Sequence, residues 1–347
     1  MSGARGWLDI CGVPESGVPK CGVPRPGEPQ TPTEWSAVKP VVTTATLVTQ
    51  DGVPIDTVHL PGRRDLAIVM AHGFTQSWQT PMVWHIAQRF NLGAGVVTFD
   101  FRGHGRSGGL STVGDKEIND LDVAVHYARE LGYQRIATVG FSMGGSVVLR
   151  QAGLHGGPDA VVSVSGPGHW YYRGTEPMRR VHFAIENRIG RLFTRHFLKT
   201  RIAPSGWDPV PLPPADAAAR ISPVPVLIVH GDNDLYFPPE HARELFESAR
   251  EPKELWLLPG FGHAERATDD KLVDRIVGWV IDAVTAGGAA APQPQAPQLQ
   301  APQLQATQPQ APQAPRSTEP PEPLEPAQDE LADARETAQP ADTSATS

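Results

Sequence analysis

Arg135-Ile136-Ala137-Thr138-Val139-Gly140-Phe141-Ser142-Met143-Gly144-Gly145-Ser146-Val147-Val148-Leu149-Arg150 changes character at its central serine. The residues before it read as a short buried β-strand, and those after it as the first turns of a helix. A serine on such a tight turn projects its hydroxyl above the sheet, where a base and a substrate can both reach it. Gly140 and Gly144 suit the crowding, because a Cβ at either place would meet the neighbouring helix or strand. The helix start also offers free backbone N–H groups and a positive dipole end to a developing oxyanion.

A glycine-rich turn between strand and helix need not carry chemistry, so its companions matter. Leu66–Ala71 reads as a buried strand running into His72-Gly73-Phe74. Val96–Asp100 reads as another, followed by Phe101-Arg102-Gly103-His104-Gly105-Arg106-Ser107. Val226–His230 leads to Gly231-Asp232-Asn233-Asp234, and Leu255–Leu258 leads to Pro259-Gly260-Phe261-Gly262-His263. Serine, acid and histidine thus follow one another in chain order, each just past the carboxyl end of a strand, where open α/β sheets bind ligands.

With these residues the chain resembles the α/β-hydrolase superfamily, in its serine-nucleophile esterase and lipase-like branch. The resemblance spans roughly Val41 to Ala286 and rests on five loops: His-Gly, Gly-His-Gly-Arg-Ser, the serine elbow, Gly-x-x-Asp and Gly-x-Gly-His. It implies an α/β fold with a mostly parallel central sheet, helices on both faces and a short helical cap. It says less about substrate, because the fold hosts many chemistries. Ser142 disfavours the branches that use aspartate (dehalogenases, epoxide hydrolases) or cysteine (dienelactone hydrolase-like) as nucleophile.

The residues themselves suggest roles. Serine is a weak nucleophile at its own pKa and needs a base within hydrogen-bond reach. His263 suits that task, since imidazole can take the serine proton and return it to the leaving group near neutral pH. An acid behind the ring would fix its tautomer. Asp232 and Asp234 both compete for that place. Asp232 directly follows Gly231, where an aspartate commonly holds a turn, whereas Asp234 matches the acid's place in the family's Gly-x-x-Asp turn. The backbone N–H groups of Phe74 and Met143 are the expected oxyanion hole. His72, Trp170, Tyr171, Met178 and Phe237 are expected at the substrate pocket. His104 is expected to hold its loop, and His230 to be a buried, satisfied side chain.

The expected activity is cleavage of a carboxylic ester through an acyl-enzyme. Thioester hydrolysis, amide or peptide cleavage and acyl transfer are alternatives on the same residues. A catalytically silent binding module is a further one. No cofactor and no metal is expected, and the partner is a small acyl substrate.

Composition narrows the rest. Of the net charge of −8 in 347 residues, −6 falls from residue 287 onward, where eight acidic residues face Arg316 and Arg335. The remainder is nearly neutral and does not suggest nucleic-acid binding. The only two cysteines, Cys11 and Cys21, lie outside the expected domain, so no disulfide framework or metal-ligand cluster is read for the core. No apolar run approaches the ~20 residues of a membrane span, and no signal-like start is visible, which leaves a cytoplasmic address by default.

Residues 1–40 carry three Gly-Val-Pro units and are read as a disordered leader; 41–286 form the expected hydrolase domain; 287–347 are read as a disordered Pro/Gln/Ala-rich acidic tail. Asp51-Gly52 signals a hairpin between Val41–Thr49 and Val53–Leu60 at an antiparallel sheet edge. Helices are expected over Pro81–Phe90, Asp115–Leu131, Ser142–His155, Pro238–Arg250 and Thr268–Val284. A cap insertion is placed at about 166–221. In it Met178, Val181, Ile185, Ile189 and Leu192 recur at helical spacing, and the same stretch is rich in arginine. Such a helix is expected to pack on the body or, as in the resembling enzymes, to line the pocket, and its basic side is either solvated or rests on anionic lipid.

Overall fold

Asp51-Gly52 turns the chain, with Gly52 at φ +79°, between β1 (Thr43–Val48) and β2 (Pro54–Leu60). The two strands pair antiparallel from Thr43↔His59 to Val48↔Pro54. The computed structural model describes residues 41–63 and 65–287. The expected leader with Cys11 and Cys21, and the expected tail from residue 288, lie outside the described residues.

Beyond the hairpin, strands alternate with helices: β3 (Leu66–Ala71), α1 (Pro81–Phe90), β4 (Gly95–Phe99), α2 (Glu117–Glu130), β5 (Arg135–Phe141), α3 (Met143–Leu154) and β6 (Ala160–Val164). There follow α4 (Glu176–Glu186), α5 (Arg188–Phe197), α6 (Pro214–Ala218), β7 (Val226–Gly231), α7 (Glu240–Ser248), β8 (Lys253–Leu258), α8 (Ala264–Ala267) and α9 (Asp270–Gly287). The eight strands form one sheet in the order β1-β2-β4-β3-β5-β6-β7-β8. Only the β1–β2 and β2–β4 pairs are antiparallel.

The parallel strands are apolar throughout because both faces are covered. Successive side chains point to opposite faces, so one strand feeds two cores. Along β3, Ala67, Val69 and Ala71 join Leu121 and Ala124 of α2 and Val147 and Val148 of α3. Ile68 and Met70 join Ile86 and Phe90 of α1 and Ile276 and Val280 of α9. Truncating a fully buried residue such as Phe90 or Leu121 to alanine would cost about 2–5 kcal/mol.

The hairpin edge, the parallel sheet and the five expected helices are present, with ends shifted by up to three residues. Strand β6 was not anticipated. The apolar stripe from Met178 to Leu192 is not one helix: Asn187 is extended (φ −94°, ψ 141°) and separates α4 from α5. Its side-chain Nδ2 and backbone N–H both donate to the Phe183 carbonyl, the kind of local bonding by which asparagine leaves a helix. α5 then folds back on α4 at Gly190, where a Cβ would lie 2.7 Å from the Phe183 carbonyl oxygen.

Candidate active site

The loops that leave β3, β4, β5, β7 and β8 at their carboxyl ends assemble the site. At the end of β5, Ser142 is held at φ 51°, ψ −114°, a left-handed backbone that costs about 1–3 kcal/mol in a non-glycine residue. The turn closes only because its neighbours lack side chains. A Cβ on Gly140 would lie 2.1 Å from the Gly144 carbonyl oxygen, and one on Gly144 would lie 2.3 Å from that of Ala71. Tight packing of helix on strand thus holds the serine in a conformation it would not adopt alone.

His263, just after β8, comes within 2.9 Å of Ser142 Oγ through Nε2, and its Nδ1 lies 2.8 Å from Asp234 Oδ2. Three residues from three strand ends therefore form one hydrogen-bonded chain. Asp234 is buried, and its other oxygen accepts the backbone N–H groups of Tyr236 and Phe237 at 2.8 and 3.1 Å. Burial alone would raise its pKa. The hydrogen bond from His263, the charge of that ring and the two amides outweigh burial and hold the carboxyl below its ordinary value. Tyr236 stacks on the His263 ring with centroids 4.3 Å apart, which fixes its plane. Asp232 is engaged elsewhere: its Oδ1 accepts the Gly260 N–H at 2.6 Å and ties the β7 loop to the β8 loop.

The amides of Phe74 and Met143 donate to no protein acceptor among the described residues, and both residues line the cavity beside Ser142. The loop bearing Phe74 is braced from two sides. Glu265 Oε1 accepts the Gly73 N–H at 2.6 Å, and His104 Nε2 accepts the Thr75 N–H at 3.2 Å. Glu265 is buried, which raises its pKa above the usual carboxylate value. No motif pointed to this residue; its position two places after His263 is the only trace in the chain.

His72 is not at the pocket, contrary to the sequence expectation. Its ring is fully buried, with Nδ1 donating to the Gly73 carbonyl at 2.8 Å and Nε2 accepting the Phe101 N–H at 3.1 Å. Both ring nitrogens are thus consumed, Nδ1 within its own loop and Nε2 in tying that loop to the one after β4. His104 does hold its loop, its Nδ1 facing the Arg102 carbonyl at 3.1 Å. Burial, joined for His104 by the adjoining His72, lowers both rings to about 4. His230 is buried but only half satisfied: Nε2 donates to the Phe237 carbonyl at 2.9 Å, while Nδ1 has no partner among the described residues.

Above Ser142 and His263 lies a cavity of about 550 Å³, a size suited to a small organic ligand. Trp170, Tyr171, Met178 and Phe237 line it, as does Phe74. From the cap, Val181 and Ile185 of α4 and Thr194 and Leu198 in or after α5 also face it. Ile189 and Leu192, expected on the same stripe, are exposed instead. Thr175 caps α4 and donates to the Tyr236 carbonyl at 2.9 Å, so the cap is anchored to the loop that carries Asp234. Glu117 accepts from Ser111, Thr112, Val113 and Gly114, and three of these residues line the cavity.

His169, His241 and Glu244 bring potential metal-ligand atoms within 4.8 Å of one another. His241 Nδ1, however, already accepts the Gly168 N–H at 3.1 Å, and His169 Nδ1 lies 2.6 Å from Glu244 Oε2. The Gly168 bond leaves the His241 proton on Nε2, so that ring offers a metal no free lone pair without breaking it.

The sequence model of the Alpha/beta hydrolase family matches residues 68–277. The chain belongs to this family. Among curated relatives, the monoacylglycerol lipase of Mycolicibacterium smegmatis is 28% identical over 254 residues, covering 62% of this chain and 87% of that protein. The uncharacterized protein YfhR of Escherichia coli O157:H7 is 26% identical over 230 residues, covering 62% of this chain and 70% of its own length. Among solved structures, the Pyrococcus furiosus esterase Pf2001 superposes with a TM-score of 0.55 at 22% identity, covering 74% of this chain and 98% of that one. That likeness shows the α/β-hydrolase fold. Among the described residues no helix is long and apolar enough to cross a membrane.

Proposed function

We propose that this α/β hydrolase is a serine esterase that cleaves a small or medium carboxylic ester through an acyl-enzyme. The observation that carries the reading is the unbroken chain from Ser142 Oγ through His263 to Asp234, with bonds of 2.9 and 2.8 Å, opening on an apolar-walled cavity. The name of the Mycolicibacterium smegmatis relative, a monoacylglycerol lipase, supports an ester of a fatty acid as the substrate class.

In this reading His263 Nε2 takes the Ser142 proton as Oγ bonds to the ester carbonyl carbon. The carbonyl π electrons move to its oxygen, which the free amides of Phe74 and Met143 stabilise. Asp234 keeps the ring proton on Nδ1 and offsets the charge of the imidazolium. Collapse breaks the bond to the leaving oxygen, which receives its proton from His263. Water then repeats the sequence on the acyl-serine and releases the acid. The left-handed turn at Ser142 and the stacked Tyr236 hold both reacting groups in place, so little reorganisation remains at the moment of reaction.

A fluorophosphonate probe tests this reading. Labelling of the wild type that vanishes in Ser142→Ala supports it; folded wild type that takes no label overturns it. A panel of p-nitrophenyl esters and thioesters of increasing acyl length then fixes the leaving atom and the chain length.

A further inference from the structure

Helix α5 presents three arcs to its surroundings. Gly190 is buried against the α4 backbone at Phe183 and Ala184, and Thr194 is buried at the cavity. Arg188, Arg191 and Arg195 share a second arc, at one-turn spacing. On the third, Ile189, Leu192, Phe193 and Phe197 are 76%, 57%, 53% and 73% exposed, and the two phenylalanine rings stack on each other at 4.9 Å. Phe183 of α4 is exposed as well. A surface helix of a globular protein turns its apolar arc inward, whereas here the arc with the large apolar residues is turned out.

We propose that this face of α5, with Phe183, docks on an anionic lipid bilayer. A helix lying in a membrane interface needs bulky apolar residues on one arc and cations beside it. Both are present. Between residues 173 and 201 the cap carries eight Arg and Lys residues against Glu176 and Glu186. Those two carboxylates are already engaged by Arg173, Arg179 and Arg180. Arg188, Arg195 and Lys199 make no ion pair among the described residues, and Arg188 and Arg195 share the arc of α5 beside the apolar one. A second copy of the chain would set the same cations against each other, so charge favours lipid phosphate over self-association. α5 also turns Thr194 and Leu198 into the cavity, so one helix forms a cavity wall and the lipid-facing surface. The proposal goes beyond the esterase reading and does not rest on it, because binding to a bilayer needs no turnover.

The test is co-sedimentation of the full chain with vesicles of phosphatidylcholine alone or mixed with phosphatidylglycerol. The wild type sediments with the anionic vesicles, less with the neutral ones, and less at high salt. Ile189→Glu/Phe193→Glu lowers the bound fraction by about tenfold or more, by charging the arc that must enter the interface. Arg188→Glu/Arg195→Glu removes the preference for phosphatidylglycerol, and decides the matter should the first variant fail to fold by circular dichroism. None of these four residues lines the cavity, so hydrolysis of a soluble p-nitrophenyl ester stays at the wild-type rate. Wild type that stays in the supernatant with both vesicle types overturns the proposal. So does sedimentation of both double variants like the wild type, or a dimer formed through this face without vesicle binding.

Discussion

Glu265 Oε1 accepts the Gly73 N–H at 2.6 Å, joining the loop after His263 to the loop that carries the Phe74 amide. Its carboxylate lies so close that a Cβ on Gly73 would sit 3.1 and 3.2 Å from the two oxygens and 3.3 Å from Ser142 Cβ. The positions of base, nucleophile and one expected oxyanion donor are therefore coupled through a single buried carboxyl.

Removing that acceptor leaves a buried amide unsatisfied. Glu265→Ala is expected to lower stability by about 1–3 kcal/mol and, by loosening the Phe74 loop, to lower kcat on a p-nitrophenyl ester about tenfold. Glu265→Gln keeps an oxygen for the Gly73 N–H and should stay close to the wild type on both counts. Urea melts and initial rates on the three proteins check this; equal losses in the two variants would mean that the negative charge, not the bond to Gly73, matters.

Acid should destabilise the fold through His72 and His104. Each ring has Nδ1 against a carbonyl and Nε2 accepting an amide, so a second proton would have to displace an amide N–H. Burial holds both at about 4 in the folded chain, below the ordinary 6.5. The unfolded chain binds these protons near 6.5 and the folded chain does not, so stability is fully present above about pH 6.5 and falls between there and about pH 4. The loss is at most about 3 kcal/mol per ring, and less than additive because the rings repel each other's charge. Denaturant melts from pH 7.5 to 4.5 should show the decline, with a shallower slope in His104→Gln. A flat profile would place the charge-sensitive groups elsewhere.

The fold was legible where a short apolar run ended in a loop of special residues, as at Ala71-His72-Gly73 and Val139-Gly140-Phe141-Ser142. Strand β6 escaped although Gly156-Gly157-Pro158-Asp159 and Gly166-Pro167-Gly168 bound it, because Ala160–Val164 is buried on both faces and leads into none of the five loops that marked the other strands. The break at Asn187 escaped for a related reason: apolar spacing continues across it, and only the bonds to the Phe183 carbonyl show that the helix stops. At the site, Ser142, His263 and Asp234 were marked by position after strands. Glu265 was not, since its partner is a backbone amide 192 residues away that leaves no pattern in the chain. His72 adjoins the oxyanion loop in sequence, but its ring turns to the Phe101 amide, a contact set by the packing of β3 beside β4.

Ser142→Ala and His263→Ala should each nearly abolish esterase turnover, and the double variant should be hardly worse than either single. The 2.9 Å bond between them makes them one unit: without the base the serine is not activated, and without the serine the base has nothing to activate. A residual acceleration of about 10³ over water can persist from binding and the oxyanion donors. Losses that add in the double-mutant cycle would show two independent contributions.

The last prediction separates the two acids. Asp234 faces His263 Nδ1 at 2.8 Å, whereas Asp232 holds the Gly260 amide at 2.6 Å. Asp234→Asn keeps an oxygen for the Tyr236 and Phe237 amides, so the loop and the fold should persist. Its amide group turned to the ring would donate rather than accept, favouring the imidazole tautomer that cannot take the serine proton. A loss in kcat of about 10⁴ is expected, with little change in melting temperature. Asp232→Asn still offers an oxygen to Gly260 and exchanges a charge-assisted bond for a neutral one, worth about 1 kcal/mol of stability. Its kcat should stay within a few-fold of the wild type, since its carboxylate bonds the Gly260 amide and not the His263 ring. Steady-state kinetics and melts of the two variants side by side decide between them, and the opposite ranking of the two kcat values would move the acid's role to Asp232.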